Sequence, residues 1–237
     1  TPGSWRITNL IPGYYQVSEV MQPGWINVTP TTLNVLLPCN GNKQDVDFHN
    51  KPLRCVSGYK LDTCTKEGIP GWNITLNNSS GSWTKQTGSD GSYEFCNLAP
   101  GEYTITEDIR SGYMPTGEIS IDIELNCTNL SNQNFTNQKL LCIGGRKYND
   151  CTEDPMAGWN VEVFNATTQA FMGNDTTDDE GYWEVCDLLP GVYIARETLQ
   201  PGWENHAPSQ RVTLSCENNT SIDFFNTRAH VHRRLQA

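Results

Sequence analysis

Apolar residues along this chain recur at every second position in short runs, and Gly, Pro, Asn and Asp stand between the runs. A period of two is the signature of strands with one buried face. No stretch holds the 3.6-residue period through three helical turns. In the middle of the chain the pattern predicts strands A 56–62, B 71–77, C 83–87, D 92–96, E 102–108, F 118–126 and G 133–137. Ala99, Pro100 and Gly101 form a turn between D and E, where Pro and Gly set the backbone.

The pattern is repeated. The run from Cys55 through Gly58 and Lys60 to Cys64 returns from Cys142 through Gly145 and Lys147 to Cys151. Gly71-Trp72 returns as Gly158-Trp159. Gly91, Tyr93, Cys96, Leu98, Pro100, Gly101 and Tyr103 return as Gly181, Trp183, Cys186, Leu188, Pro190, Gly191 and Tyr193, at a shift of 87 to 90 residues throughout. A third copy opens the chain with its second half only: Gly3 to Tyr15 aligns with 91–103, and the stretch ending at Trp25 matches the one ending at Trp203. Its end, Phe48 to Asn50, matches Phe135 to Asn137 and Phe225-Asn226. The expected organisation is half a repeat at 1–51, whole repeats at 52–139 and 140–228, and a tail at 229–237. One such unit has the size of a small β-sandwich.

Charge narrows the partners. A net charge of −11 on 237 residues argues against a nucleic-acid binder. The one basic cluster, His230 to Arg234, reads as a solvated tail. No apolar run is long enough to span a membrane, and any secretion signal or anchor is expected to have been removed or to lie outside this sequence. Nine cysteines without a Cys-x-x-Cys pair, and four histidines away from ligand spacing, point to disulfides in an oxidising compartment and to no metal. Eleven Asn-x-Ser/Thr triplets agree with secretion; they begin at Asn27, Asn73, Asn77, Asn78, Asn126, Asn129, Asn134, Asn165, Asn174, Asn218 and Asn219. No cofactor is expected beyond covalent N-glycans. The acidic stretches Asp178 to Gly181 and Ser89 to Gly91 lack calcium-loop spacing and read as β-turns, so calcium has no support.

The run G-Y-K-x-D … G-x-P-G-W-x-I-x-L … G-S-Y-x-F-x-N-L-x-P-G-x-Y-x-I-x-E, from Gly58 to Glu107, resembles the SdrD B-like and Cna protein B-type repeat family. Those domains are prealbumin-like β-sandwiches strung along microbial surface proteins. The Cys-rich, sequon-rich version here is most similar to archaeal surface proteins. The resemblance implies an all-β fold: tandem seven-stranded, Ig-like/prealbumin-like β-sandwich domains in a linear array. It also implies a candidate chemistry. Some B-type repeats join a strand A Lys to a strand G Asn through an isopeptide bond promoted by a buried Glu. The matching residues are Lys60, Glu107 and Asn137, then Lys147, Glu197 and Asn226. The opening half repeat keeps Glu19 and Asn50 without the Lys segment. The competing reading places Lys and Glu at the sandwich rim, with Asn satisfying strand-end hydrogen bonds.

Each whole repeat has four cysteines, which allow three pairings. In an alternating seven-strand sandwich A and G run parallel, so the start of A lies beside the F–G turn. That favours Cys55–Cys127 and Cys142–Cys216, and leaves Cys64–Cys96 and Cys151–Cys186, a less comfortable pair across opposite poles. Cys39 is left over, either free or bonded to another chain; a whole strand G disfavours its pairing with Cys55. Trp25, Trp72, Trp159 and Trp203 each follow Gly at fixed repeat positions, the mark of packing more than of a sugar platform. No nucleophile elbow, phosphate loop or paired-carboxylate motif is visible, so no enzyme is expected. The expected role is structural and extracellular: a cell-surface stalk or filament subunit whose partners are other copies of itself, with the tail as a possible donor strand. An adhesin, or the accessory repeats of a secreted enzyme, are the alternatives.

Overall fold

The structure, a computed structural model, describes residues 3–205 and 207–229. Every regular element among them is a strand. The opening region holds β1 (Gly13–Ser18), β2 (Trp25–Asn27), β3 (Thr32–Leu37) and β4 (Asn50–Pro52). The middle repeat holds β5 (Arg54–Asp62), β6 (Asn73–Asn78), β7 (Gly81–Gln86), β8 (Ser92–Leu98), β9 (Gly101–Glu107), β10 (Tyr113–Pro115), β11 (Ser120–Leu125) and β12 (Phe135–Lys139). The last repeat holds β13 (Leu141–Asn149), β14 (Asn160–Asn165), β15 (Phe171–Thr176), β16 (Tyr182–Leu188), β17 (Gly191–Glu197), β18 (Trp203–Asn205), β19 (Ser209–Leu214) and β20 (Phe224–Arg228). Strands A to G thus lie where the alternation puts them, and each whole repeat adds one short edge strand, β10 or β18.

The sheet orders of the two whole repeats match. They are β10-β12-β5-β8 and β11-β9-β6-β7 in the middle, and β16-β13-β20-β18 and β15-β14-β17-β19 in the last repeat. The opening region forms two two-stranded sheets, β1-β3 and β2-β4, the counterparts of β9-β11 and β10-β12. Two compact units share the chain. One holds the residues up to Tyr59, with Pro70–Glu107 and Ser120–Asn134; the other holds Lys60–Ile69, Asp108–Ile119 and the chain from Phe135 onward. The division falls inside β5.

Within the second unit the last repeat has a continuous apolar core, including Leu141, Ile143, Val161, Trp183, Tyr193 and Phe224. Burying each such side chain contributes roughly 1.5–3 kcal/mol. Strand β13 alternates so that Ile143, Gly145 and Lys147 are buried, as Val56, Gly58 and Lys60 are in β5. Gly145 is required by approach: a Cβ there would lie 2.0 Å from the Ile222 carbonyl oxygen, and Gly58 is similarly placed at 1.9 Å from that of Gln133. The obstacle is backbone, which cannot rotate away. Gly145→Ala is therefore expected to destabilise the protein by about 3 kcal/mol or more, read by denaturant unfolding. A wild-type midpoint would overturn this packing.

The Pro-Gly-x-Tyr motif has a local cause that recurs in all three copies. Tyr15, Tyr103 and Tyr193 hydroxyls donate to the carbonyls of Ile11, Ala99 and Leu189 at 2.7, 2.8 and 2.7 Å, tying each strand start to its turn. The residue before Leu10, Leu98 and Leu188 is Asn9, Asn97 or Asp187, with φ of 63°, 61° and 60°. Asn and Asp tolerate that left-handed backbone best among residues with a Cβ.

The disulfides correct the expected pairing. The bonds are Cys55–Cys96, Cys142–Cys186 and Cys64–Cys216, with Cα separations of 4.0, 4.0 and 5.6 Å. None of Cys55–Cys127, Cys142–Cys216, Cys64–Cys96 or Cys151–Cys186 forms. The reason is strand direction: β5 runs antiparallel to β8, and β13 to β16, so the start of A meets the end of D. The ends of A and D do lie at opposite poles, which rules out Cys64–Cys96 and Cys151–Cys186 and sets Cys55 and Cys142 beside Cys96 and Cys186. With Cys55 and Cys142 taken, Cys64 in the A–B turn of the middle repeat bonds Cys216 in the F–G turn of the last repeat. Cys39, Cys127 and Cys151 are free and exposed.

Candidate functional site

The inward face of β13 is apolar except at Lys147, which stays in phase with the core positions and is fully buried. Parallel pairing sets Lys147 opposite Phe224 and Asn149 opposite Asn226, so Asn226 follows two residues along β20 on the same face. Glu197 closes β17. Its carboxylate joins the group: Lys147 Nζ lies 3.3 Å from Glu197 Oε2, both side chains fully buried, and Asn226 Nδ2 donates to Glu197 Oε1. Asn205 Nδ2 donates to Oε2 at 2.8 Å. The Trp159 ring lies under the ammonium, 4.8 Å from Nζ to the centroid. The amide oxygen of Asn226 is buried without a hydrogen-bond partner.

Burial lowers the pKa of Lys147 below its ordinary 10.5, while Glu197 and Asp150 pull the other way. The result is an amine nearer its neutral, nucleophilic form, with an amide and a carboxylate around it. The middle repeat buries the equivalent Lys60, Glu107 and Asn137 at 0%, 6% and 0% exposure, with Lys60 opposite Phe135 in the same parallel register. These are core positions, not a sandwich rim. The opening region keeps the carboxylate–amide pair, Asn50 Nδ2 donating to Glu19 Oε2 at 2.7 Å.

Two members of the site escaped the motif reading. Asn205 stands two residues after Trp203, as Asn27 does after Trp25, and that recurrence was the available signal. Trp159 reads as core, which it is at 2% exposure, but its face also carries the ammonium. Trp72 is equally buried, so neither can serve as a sugar platform.

None of the eleven sequon asparagines is buried. Asn129, Asn134 and Asn218 accept backbone N–H bonds from Cys55, Tyr59 and Cys142 at 3.1, 2.9 and 3.0 Å through Oδ1. A glycan attaches through Nδ2, so these bonds and glycosylation are compatible. The acidic stretches are turns: Gly181 N–H donates to the Asp178 carbonyl at 2.9 Å, and Gly91 N–H to that of Gly88 at 3.0 Å. Asp178 Oδ1 is occupied by the N–H groups of Glu180 and Tyr182 at 3.0 and 2.8 Å. The basic cluster and the tail from residue 230 lie outside the described residues. No helix among the described residues is long and apolar enough to cross a membrane.

Residues 55–139 match the SpaA family, a prealbumin-like fold domain. The chain is 28% identical over 138 residues to serine-aspartate repeat-containing protein D of Staphylococcus aureus (strain Newman), covering 48% of this chain and 10% of that protein. It is 28% identical over 190 residues to serine-aspartate repeat-containing protein F of Staphylococcus epidermidis, covering 67% of this chain and 11% of that protein. The chain therefore spans about a tenth of the length of these relatives. Among solved structures, the shaft pilin SpaA of Lactobacillus rhamnosus GG aligns at a TM-score of 0.39 and 13% identity, covering 76% of this chain and 99% of that one.

Proposed function

We propose that this chain, which belongs to the prealbumin-like B-type repeat family, is a non-enzymatic structural protein of the cell surface. In this reading it is an N-glycosylated subunit of an extracellular filament or stalk, assembled head-to-tail from copies of itself.

The observation that carries the reading is the opening region. Its two two-stranded sheets leave Trp5, Ile7, Ile11, Tyr14 and Val20 exposed, at 48% to 84%. Strand β4 pairs with β2 alone, whereas its counterparts β12 and β20 have neighbours on both sides. Free strand edges and contiguous apolar surface are sites of association. Strands from another copy would cover both, and a contact of that kind does not close on itself, so it propagates.

The buried clusters supply internal strength. The neutral Lys147 amine attacks the Asn226 side-chain carbonyl carbon. Glu197 takes a proton from the amine and passes it to the departing nitrogen, so one C–N bond forms, one breaks and ammonia leaves. Lys60 and Asn137 are the corresponding amine and amide in the middle repeat.

Negative-stain microscopy of native material tests the assembly. Fibres are expected. Monodisperse, well-folded monomers of the full chain would refute the filament, and fibres lost only when upstream sequence is restored would place the missing strands in the same polypeptide.

A further inference from the structure

Glu197 meets two amides, not one. Asn226 Nδ2 donates to its Oε1. Asn205 Nδ2 donates to its Oε2 at 2.8 Å, the oxygen that faces Lys147 Nζ at 3.3 Å. The two asparagines are partners in register, Asn205 on β18 opposite Asn226 on β20. The carboxylate is thus held at both oxygens from two neighbouring strands. The last torsion of a Glu side chain is broad and roughly two-fold, so a carboxylate held at one oxygen still turns. Held at both, it keeps one oxygen on the amine and the other on the amide.

The opening region shows a carboxylate–amide pair without the second donor. Asn27 stands opposite Asn50 as Asn205 stands opposite Asn226. Its Nδ2 goes instead to the Thr29 carbonyl, at 3.2 Å. Glu19 receives Asn50 on Oε2, and its Oε1 is buried without a hydrogen-bond partner. In the middle repeat the position opposite Asn137 is Pro115, whose side chain carries no donor. The second donor is therefore a feature of the last repeat and not a requirement of the fold.

The two amides on Glu197 also differ at their carbonyls. Asn205 Oδ1 accepts the Ala207 N–H at 2.6 Å, so that amide is fixed at both ends. Asn226 Oδ1 is buried without a partner. An amine can attack the Asn226 carbonyl without breaking a hydrogen bond to its oxygen, whereas attack on Asn205 would disturb the bond to Ala207.

We propose that Asn205 is a positioning residue for the cross-link: it locks the Glu197 carboxylate so that Oε2 takes the proton of the amine and Oε1 delivers it to the nitrogen leaving Asn226. The proposal rests on the cross-linking reading above and names what directs it to Asn226. In the step, Lys147 Nζ bonds Asn226 Cγ, the Cγ–Nδ2 bond breaks, one proton passes through Glu197 and ammonia leaves. Asn205 and Glu197 finish unchanged.

The test refolds the full chain from unfolded inclusion-body material at acid to alkaline pH. Mass spectrometry follows the loss of ammonia and the joined Lys147–Asn226 peptide, and near-UV circular dichroism reads folding. Asn205→Leu, of similar volume and without a donor, should slow joining by about tenfold or more at every pH. Asn205→Asp should match the parent at acid pH, where two facing carboxyl groups share a proton that bridges them as the amide did. Its rate relative to the parent should fall as rising pH removes that proton. Groups common to the chains, Lys147 and Asp150 among them, cancel in that ratio. Should Asn205→Leu not fold, the pH-dependent ratio of Asn205→Asp decides alone, and a flat ratio overturns the proposal. Equal slowing of both variants at every pH, or no slowing in Asn205→Leu, would overturn the positioning role and leave the cross-link standing. A Lys147–Asn205 peptide would overturn the division of roles between the two amides. No ammonia lost by the parent would overturn the cross-linking reading itself.

Discussion

Exchanging Glu197 for Ala should leave Lys147 and Asn226 unjoined, so that the intact mass lies one ammonia above that calculated for the substituted chain with the bond, and should lower the stability of the unjoined chain by about 3–5 kcal/mol, the range for breaking a buried ion pair. Without the carboxylate, the buried Lys147 ammonium loses its ion-pair partner and keeps the Trp159 ring and the attraction of Asp150, and the Asn226 and Asn205 amides lose their shared acceptor. Glu197 is therefore expected to have two separable roles, one in the proposed cross-linking and one in packing. Intact mass reads the first and denaturant unfolding the second. pH distinguishes them further. Burial lowers the Lys147 pKa from 10.5, so below that value the unfolded chain binds more protons than the folded one. Before the bond forms, stability accordingly rises as pH climbs from the lowered pKa toward 10.5, and cross-linking quickens in the same direction. Unmodified Lys147 in a digest of the mature protein would end the cross-link while leaving the ion pair.

The second large effect belongs to Cys64–Cys216. It closes a span of 152 residues, worth about 5 kcal/mol in the chain-entropy treatment, against about 4 for each of the spans of 41 and 44 closed by Cys55–Cys96 and Cys142–Cys186. Cys64→Ser, like Cys216→Ser, should therefore lower the unfolding midpoint under oxidising conditions more than a change at any other cysteine. Under full reduction the variant and the parent should coincide. Equal midpoints for the two proteins before reduction would show that this bond contributes nothing to stability.

How much of this was legible in the residues differs by layer. The strands were, because alternation in runs such as 102–108 reports directly which face is buried. The inward lysine was too: Lys60 keeps the phase of Val56 and Gly58, so a core position is implied once β5 is recognised as a strand. The edge strands β10 and β18 were not, since three residues carry too little alternation to register. The disulfides failed on geometry. The expected pairing used the A–G neighbourhood, but the first half of β5 pairs with β8 and only its end, from Lys60, pairs with β12. Pairing was also sought within each repeat, while the turns bearing Cys64 and Cys216 belong to successive repeats. Asn205 joined the site from the three-residue strand β18, where the recurrence of Asn two residues after Trp was its one trace in the sequence.

The Cys64–Cys216 bond also changes what tension does to this molecule. When a chain is pulled from its ends, force follows the shortest covalent route. Here that route enters at Cys64, crosses the sulfurs and leaves at Cys216. The intervening stretch is out of the load, and with it the core of the middle repeat beyond β5 and most of the last. Roughly 500 Å of extended contour stays slack for as long as the bond holds. The bond thus acts as a mechanical bypass whose state the redox environment sets.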